Sequence, residues 1–323
     1  MTVSSPPRPA LVQLGILLAI GSYAAYSWGD AIIKGLGQTV GMFEIGLITT
    51  LFALIPAIFA KPRTEKWRQS LQLQSPWRMH LIAALRLNSS VMITYSFITI
   101  PLAEAYCIVF LIPVFITILS VLVLKEEVGI DRWVLILVSF LGVMLVVRPG
   151  FRELELGHLT ALGCAISAGF AAVLTRQSAG SESRLSLFLL PTLYAIVFNA
   201  AMVLVLGGAL PGWRELFLML LCGLCGGTGY LMQIAAITHS PASRVAPIQY
   251  SQIVWALILG ALFFAELPDS LSLAGLAVVV IAGVTGIFSD GARARLAGRF
   301  AEYRARKSGA QPEPVPIPGP PEI

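Results

Sequence analysis

The chain of 323 residues is 57% hydrophobic and 12% charged, and its mean hydropathy of +0.82 excludes a soluble globular protein. The formal net charge of +5 comes from basic residues that are spread over many loops, so it does not indicate nucleic-acid binding. The class that remains is a protein of the lipid bilayer.

Ten apolar segments have the length and composition of membrane spans, for which about 20 mostly apolar residues are needed. The predicted fold is therefore an all-α integral membrane protein with ten transmembrane helices. A loop over residues 61–79, in which basic residues alternate with Trp and Leu, is predicted to lie at the membrane interface. The predicted spans cover residues 11–33, 42–60, 80–100, 102–124, 132–148, 156–176, 185–206, 214–237, 242–264 and 271–289.

The segment 101–129 is repeated without a gap as segment 241–269. Five predicted spans precede the midpoint of the chain and five follow it, and an odd number of spans per copy turns the second copy upside down in the membrane. Inverted repeats around a central site are typical of secondary transporters.

Both termini are predicted to face the cytoplasm, because most Lys and Arg residues fall in the loops on that side. The first span is too long to be a cleavable signal peptide. The sequence divides into an N-terminal tail (1–10), a first five-helix repeat (11–148), a second five-helix repeat (149–289) and a basic, Pro-rich tail (290–323).

Arg86 is a basic residue inside a predicted span, about 9 Å beyond His80 along the helix. Holding a charge at such a depth costs roughly 2.5–3.5 kcal/mol. Two interpretations follow. Arg86 faces a cavity and anchors an anionic group of a solute, or it snorkels to the surface or pairs with Glu44.

Four carboxylates near helix ends also invite interpretation. Asp30 and Lys34 stand one turn apart, so they are predicted to neutralise one another. The alternative is that Asp30 responds to protons or cations at the mouth of a cavity. Glu104 is predicted to cap the fourth helix, and Glu126 and Glu266 are predicted to be structural anchors or gate contacts.

The ninth span carries a polar and aromatic cluster, and the matching part of the fourth span adds Tyr106. Such side chains taken together favour a cavity wall that suits a flat or zwitterionic metabolite, although core packing is the favoured interpretation for each of them alone. Second-rank candidates lie on the first, third and eighth spans. The cluster consists of Gln249, Tyr250, Gln252 and Trp255, and the second-rank candidates are Trp28, Tyr95, Tyr230 and Gln233.

No metal site, redox site or cofactor is predicted. Cys222 and Cys225 have the spacing of a redox motif, but they lie in a span without a strand–helix context, and the three histidines form no metal-ligand pattern. Pro113 and Pro247 fall inside spans, where they form either hinges or static bends.

The chain resembles the drug/metabolite transporter superfamily, in its ten-helix branch built from two EamA-like repeats. The resemblance covers about residues 11–289. It is carried by the two proline-led helices that end in the acidic segments 124–127 and 264–269, each followed by a Gly- and Val-rich span. Segments 30–34 and 246–250 resemble the branch that includes S-adenosylmethionine uptake carriers.

This resemblance implies a secondary carrier of the bacterial cytoplasmic (inner) membrane that moves a small polar organic metabolite. S-adenosylmethionine-like uptake is the first expectation, ahead of export of amino acids, riboflavin-type cofactors or drugs. The implied partners are the solute and the lipid bilayer, and a homodimer is left open. Thr49 and Thr50 depart from the family, since many relatives carry an arginine in this region.

An integral-membrane enzyme is the alternative from another class. The sequence has no zinc-protease motif, no nucleophile-elbow motif and no paired intramembrane aspartates. It also has no Walker-type phosphate loop, so ion gradients or exchange are left as the driving force.

Overall fold

The structure, a computed structural model, describes residues 9–60, 73–124, 129–148, 153–178, 181–182, 184–208, 211–239 and 245–285. In the first half of the chain the helices are α1 (Pro9–Leu36), α2 (Met42–Ala60), α3 (Pro76–Thr99), α4 (Leu102–Val109), α5 (Ile112–Leu124) and α6 (Ile130–Val147). In the second half they are α7 (Leu156–Ser178), α8 (Arg184–Leu206), α9 (Trp213–His239), the 3-10 segment Ala246–Tyr250, α10 (Ser251–Phe264) and α11 (Ser270–Thr285).

The helices confirm the predicted membrane protein. Within the described residues, six helical segments are long and apolar enough to cross a bilayer, and four further apolar helices are shorter. Together these ten segments fall on the ten predicted spans, with α4 and α5 forming one of them. Large apolar side chains such as Leu204 and Val205 of α8 are exposed, as expected for a surface that meets hydrocarbon.

Several sequence predictions fall on parts of the chain outside the described residues. These are the N-terminal tail up to residue 8, most of the interfacial loop 61–79, Glu126, and the basic, Pro-rich tail 290–323.

Contacts between α1 and α9 give the relative direction of the two halves. The Ser22 hydroxyl donates to the Gly229 carbonyl at 2.8 Å, whereas Gly29, further along α1, packs against Cys222, earlier in α9. The two helices therefore run antiparallel. Within a half, the first and third helices run parallel, so α7 has the same direction as α9. The first helix of the second half therefore runs opposite to α1, the first helix of the first half.

The pair α3–α7 repeats this arrangement with the roles of the halves exchanged. The Asn88 amide donates to the Ser167 hydroxyl at 2.8 Å, and Thr99, near the end of α3, lies against Gly157, near the start of α7. Each half thus packs its first helix antiparallel to the third helix of the other half, as an inverted repeat requires.

The repeated helices are interrupted at equivalent places. The fourth span breaks after Val109, at Phe110, and in the ninth span the 3-10 segment Ala246–Tyr250 gives way to α10 after Tyr250. Phe110 aligns with Tyr250 in the repeat, and their rings lie 4.9 Å apart. The two repeat-related residues therefore meet on the axis that relates the halves. Pro113 and Pro247 lie beside these breaks, where a missing N–H is tolerated.

Two glycines allow α6 and α11 to cross closely. A Cβ added at Gly275 would lie 2.7 Å from the Gly142 carbonyl oxygen, and a Cβ at Gly142 would lie 3.0 Å from the Gly275 carbonyl oxygen. Backbone oxygens cannot move aside without shifting a whole helix, so both positions require glycine.

We expect Gly275→Ala to lower the free energy of unfolding by about 1–3 kcal/mol, because the added methyl group overlaps a backbone oxygen. Thermal unfolding in detergent micelles measures the change. Gly226→Ala is the control, since no heavy atom lies within 4 Å of a Cβ built there, and helix propensity favours Ala by at most about 1 kcal/mol. Equal effects of the two variants would contradict the close crossing.

Candidate functional site

A cavity of about 320 Å³ opens between helices of both halves. Helix α3 contributes one polar wall, and α8 and α9 contribute an aromatic wall in which the rings of Phe188 and Tyr230 stack 5.4 Å apart. The size falls at the lower end of the range for small-molecule sites. The lining residues are Thr50, Arg86, Leu87, Ser90, Thr175, Leu187, Phe188, Pro191, Thr192, Ala195 and Tyr230.

Arg86 is the cationic group of this cavity. Its side chain is exposed, and among the described residues no carboxylate pairs with it. Glu44, which was the alternative partner predicted from the sequence, lies in the first turn of α2, beside Gly41 and Gly208. The structure therefore places the guanidinium in the cavity and leaves its charge available.

A second cavity of about 170 Å³ adjoins the first. Thr50 lines both, so the two spaces meet at this residue of α2. Glycines 223 and 226 of α9 form part of the wall, and a Cβ at Gly223 would lie 2.7 Å from the Thr49 carbonyl oxygen. The carboxylate of this second cavity is Asp30.

Asp30 accepts a short hydrogen bond from the Tyr106 hydroxyl of α4. The Tyr106 ring is held between Phe97 at 5.4 Å and Phe110 at 6.1 Å. Phe110 in turn contacts Tyr250. A column of four aromatic rings therefore fixes the phenol against the carboxylate.

The predicted pairing of Asp30 with Lys34 is wrong. The Lys34 ammonium lies 2.7 Å from a Glu266 carboxylate oxygen and donates to the carbonyls of Ile100 at 2.6 Å and Phe97 at 3.3 Å. The last carbonyls of a helix have no partner within it and carry partial negative charge. The end of α3 together with Glu266 therefore attracts the buried ammonium more strongly than Asp30 does.

Glu104 lies in the first turn of α4, where a carboxylate suits the helix dipole as predicted. No side-chain hydrogen bond is made by the N-cap residue Pro101, and the Glu104 carboxylate lies 3.0 Å from the His158 imidazole at the start of α7. A helix that starts after Pro101 turns Glu104 toward the other half, where a basic partner is available.

Three charged pairs join the two halves at one end of the bundle, which we call the ion-paired end. They are Lys34–Glu266, His158–Glu104 and Arg148–Asp269. The Arg86 cavity lies toward the opposite end, where α7 ends and α8 begins, and Arg86 and Ser90 are exposed there. Hydrogen bonds join the halves at that end too, from the Ser75 N–H to the Glu182 carboxylate at 2.7 Å and between His80 and Tyr194 at 2.8 Å. The ion pairs therefore mark one end of the bundle, and the Arg86 cavity lies toward the other.

Arg148–Asp269 is the exposed member of these pairs, in the loop before α11. Hydrogen bonds from the Arg148 guanidinium and the Ser272 backbone N–H hold the pKa of Asp269 well below its usual range. A carboxylate of this kind stabilises the fold at any pH above its unfolded pKa of about 3.9, and the contribution is lost only as the pH falls further, toward the folded pKa. This pair therefore stays ionised across the pH gradients used in transport assays.

The polar and aromatic residues of the ninth span occupy several environments. Gln252 lies within hydrogen-bonding reach of the Tyr106 hydroxyl, beside Asp30, and Gln249 approaches the Tyr250 hydroxyl. Tyr250 is buried, and Trp255 packs against the central core. These two aromatic residues therefore contact the core and line neither of the two cavities, whereas Gln252 contacts the phenol that holds Asp30.

The second-rank candidates are separated by the structure. Tyr230 lines the Arg86 cavity. Gln233 donates to the Tyr23 hydroxyl at 2.9 Å and so ties α9 to α1. Trp28 is 42% exposed and meets Phe263 edge-on, while Tyr95 is half-buried and lines neither of the two cavities.

Sequence reasoning did not single out Thr50, Phe188 or Tyr26 as cavity residues. The sequence signal that could have revealed this wall is Pro191, inside α8 and one turn from Phe188, since a proline within a helix marks an interruption. Thr50 drew attention only as a departure from relatives.

Residues 13–148 and 155–289 each match the EamA-like transporter family. The chain belongs to the EamA-like transporter family. It is therefore a multi-pass membrane carrier of a small-molecule solute and not an enzyme, as predicted.

Relatives of this carrier include proteins with different cargoes. It is 25% identical over 276 residues to the S-adenosylmethionine uptake transporter of Rickettsia felis (83% of this chain, 90% of that protein). It is 27% identical over 284 residues to the pseudopaline exporter CntI of Pseudomonas aeruginosa (84% and 95%). It is 24% identical over 269 residues to the riboflavin transporter of Vibrio cholerae (78% and 86%).

A solved crystal structure shares the fold. It superposes with a TM-score of 0.61 at 18% identity, covering 87% of this chain and 98% of that chain.

We expect Lys34→Met to lower the free energy of unfolding by roughly 3 kcal/mol, because Glu266 and the end of α3 lose a buried ammonium. Arg148→Gln is the matched control at the same end. Its carboxylate partner is 43% exposed, so a loss of about 1 kcal/mol or less is expected. Unfolding of both variants in detergent gives the comparison, and equal losses would show that burial does not distinguish the pairs.

Proposed function

We propose that this carrier moves a small polar organic solute by alternating access, with Arg86 as the anchor for an anionic group of the solute. The observation that carries the proposal is a guanidinium without a carboxylate partner, among the described residues, in an open cavity between the two halves. Keeping a charge among membrane helices is costly. A group that binds solute or water there recovers that cost, whereas a structural role needs a partner.

The inverted packing supports rocking of one half against the other. We take segments 11–148 and 149–289 as the two moving units, since α1 packs on α9 and α3 on α7. In this structure the charged pairs hold the halves together at the ion-paired end, and the Arg86 cavity lies toward the opposite end. Separating the charged pairs and closing the opposite end would expose the same cavity to the other side of the membrane.

The distribution of basic residues supports an orientation with both termini in the cytoplasm of a bacterial cell, in the inner membrane. In that orientation the ion-paired end faces away from the cytoplasm. The Arg86 cavity then lies toward the cytoplasmic side of the membrane.

S-adenosylmethionine-like uptake is the first substrate to test, because an uptake transporter for that solute is among the relatives. Export of another polar metabolite is the second, because an exporter is among them too. Asp30 is the proposed coupling group, which responds to a proton or a cation, since it faces a cavity and is held by a phenol rather than by a basic residue.

We expect Arg86→Gln to raise the KM for an anionic or zwitterionic solute by about tenfold or more, because one charge-assisted hydrogen bond is lost. Uptake of labelled S-adenosylmethionine, riboflavin and amino acids into proteoliposomes, with and without a pH gradient, measures the effect. Arg78→Gln is the matched control, since Arg78 is exposed in the first turn of the same helix. An unchanged KM together with an unchanged preference for solute charge would overturn the role of Arg86.

A further inference from the structure

We infer that the solute site is bipolar. Arg86 and Asp30 mark the two ends of one elongated site that selects an organic solute with an anionic group at one end and a cationic group at the other. The inference rests on the proposed function and adds to it the class of solute and a second specificity residue.

The two charged groups lie in neighbouring cavities. Thr50 lines both the Arg86 cavity and the Asp30 cavity. Tyr230 lies in electrostatic range of Arg86, and Tyr26 lies in range of both Tyr230 and Asp30. The two phenols therefore lie near the charged groups that we assign to the ends of the site.

Among the residues that the structure describes, no basic side chain pairs with Asp30. Lys34, one turn from Asp30, is committed to Glu266 and to the end of α3. The described titratable groups near Asp30, on the helices packed around it, are phenols and thiols, and none of them is a cation. These groups are Tyr26, Tyr106, Cys164 and Cys222. A cationic group of a solute is thus the missing complement to Asp30, as an anionic group is to Arg86.

The spacing of the two ends also bears on the solute. α1 and α3 run parallel, and Gly37 lies against Ile98, which places Asp30 level with the middle of α3. At about 1.5 Å per residue, Arg86 lies about 7.5 Å from that level, toward the start of α3. The Arg86 side chain and a hydrogen bond at each end take up part of this distance. The offset is therefore compatible with a solute that presents its anionic and cationic groups at two separate positions.

The test removes one charge at a time from the solute and from the protein. Uptake of labelled S-adenosylmethionine into proteoliposomes is inhibited with the unlabelled compound, with its decarboxylated form, which lacks the carboxylate, or with S-adenosylhomocysteine, which lacks the sulfonium. We expect wild type to bind each analogue about 10- to 100-fold more weakly than the parent compound.

The variants decide which residue recognises which charge. In Arg86→Gln the decarboxylated form should inhibit uptake as strongly as the parent compound. In Asp30→Asn, S-adenosylhomocysteine should inhibit uptake as strongly as the parent compound. Asp30→Glu keeps the negative charge and should retain the preference for the sulfonium. Arg78→Gln and Glu153→Gln, at exposed positions, should behave as wild type, and gel filtration confirms that each variant is folded.

Other outcomes overturn the inference. Equal penalties for the analogues in wild type and variants, or a wild-type preference for a solute with one charge, would show that the site is not bipolar. Transport of riboflavin without transport of S-adenosylmethionine would also refute the bipolar site while leaving the carrier function intact. Folded protein that transports none of the solutes would count against the proposed function itself.

Discussion

The buried ammonium of Lys34 is the group on which the arrangement of this carrier depends. A charge among apolar helices must be paired, and Lys34 is paired by Glu266 and by the carbonyls at the end of α3. Lys34 belongs to the first half and Glu266 to the second, so pairing this charge holds the halves together at one end. The same contact draws Lys34 away from Asp30, which then bonds to Tyr106 and faces a cavity.

The inverted packing places the solute site, like this contact, between the two halves of the carrier. Because each half packs its first helix against the third helix of the other half, the spaces beside Arg86 and Asp30 lie between the halves. Phe110 and Tyr250 touch on the axis that relates them. The proposed rocking about such an axis would change access to the site from either end without changing the fold of either half.

The sequence was sufficient to predict the spans, the duplication and the family, because apolar length and repeated residues are local properties. It was not sufficient for the side-chain pairs. Asp30 and Lys34 are neighbours on one helix, yet Lys34 bonds to Glu266, and Glu104 bonds to His158 of the other half. Such contacts depend on which faces of the inverted halves meet, and one sequence carries no signal for this. Arg86 could be singled out because a charge within a span is conspicuous by itself.

Labelling of a thiol at position 90 tests most directly whether the ion-paired end closes the cavity. In a variant whose four native cysteines are replaced by alanine, Ser90→Cys places the thiol in the cavity, and Leu154→Cys, made separately, marks the face of the ion-paired end. A charged, membrane-impermeant reagent should reach position 90 only from the face opposite to position 154. Adding Glu266→Gln should open access from the Leu154 face as well. Labelling from the Leu154 face with Glu266 intact, or no change on its replacement, would contradict the account.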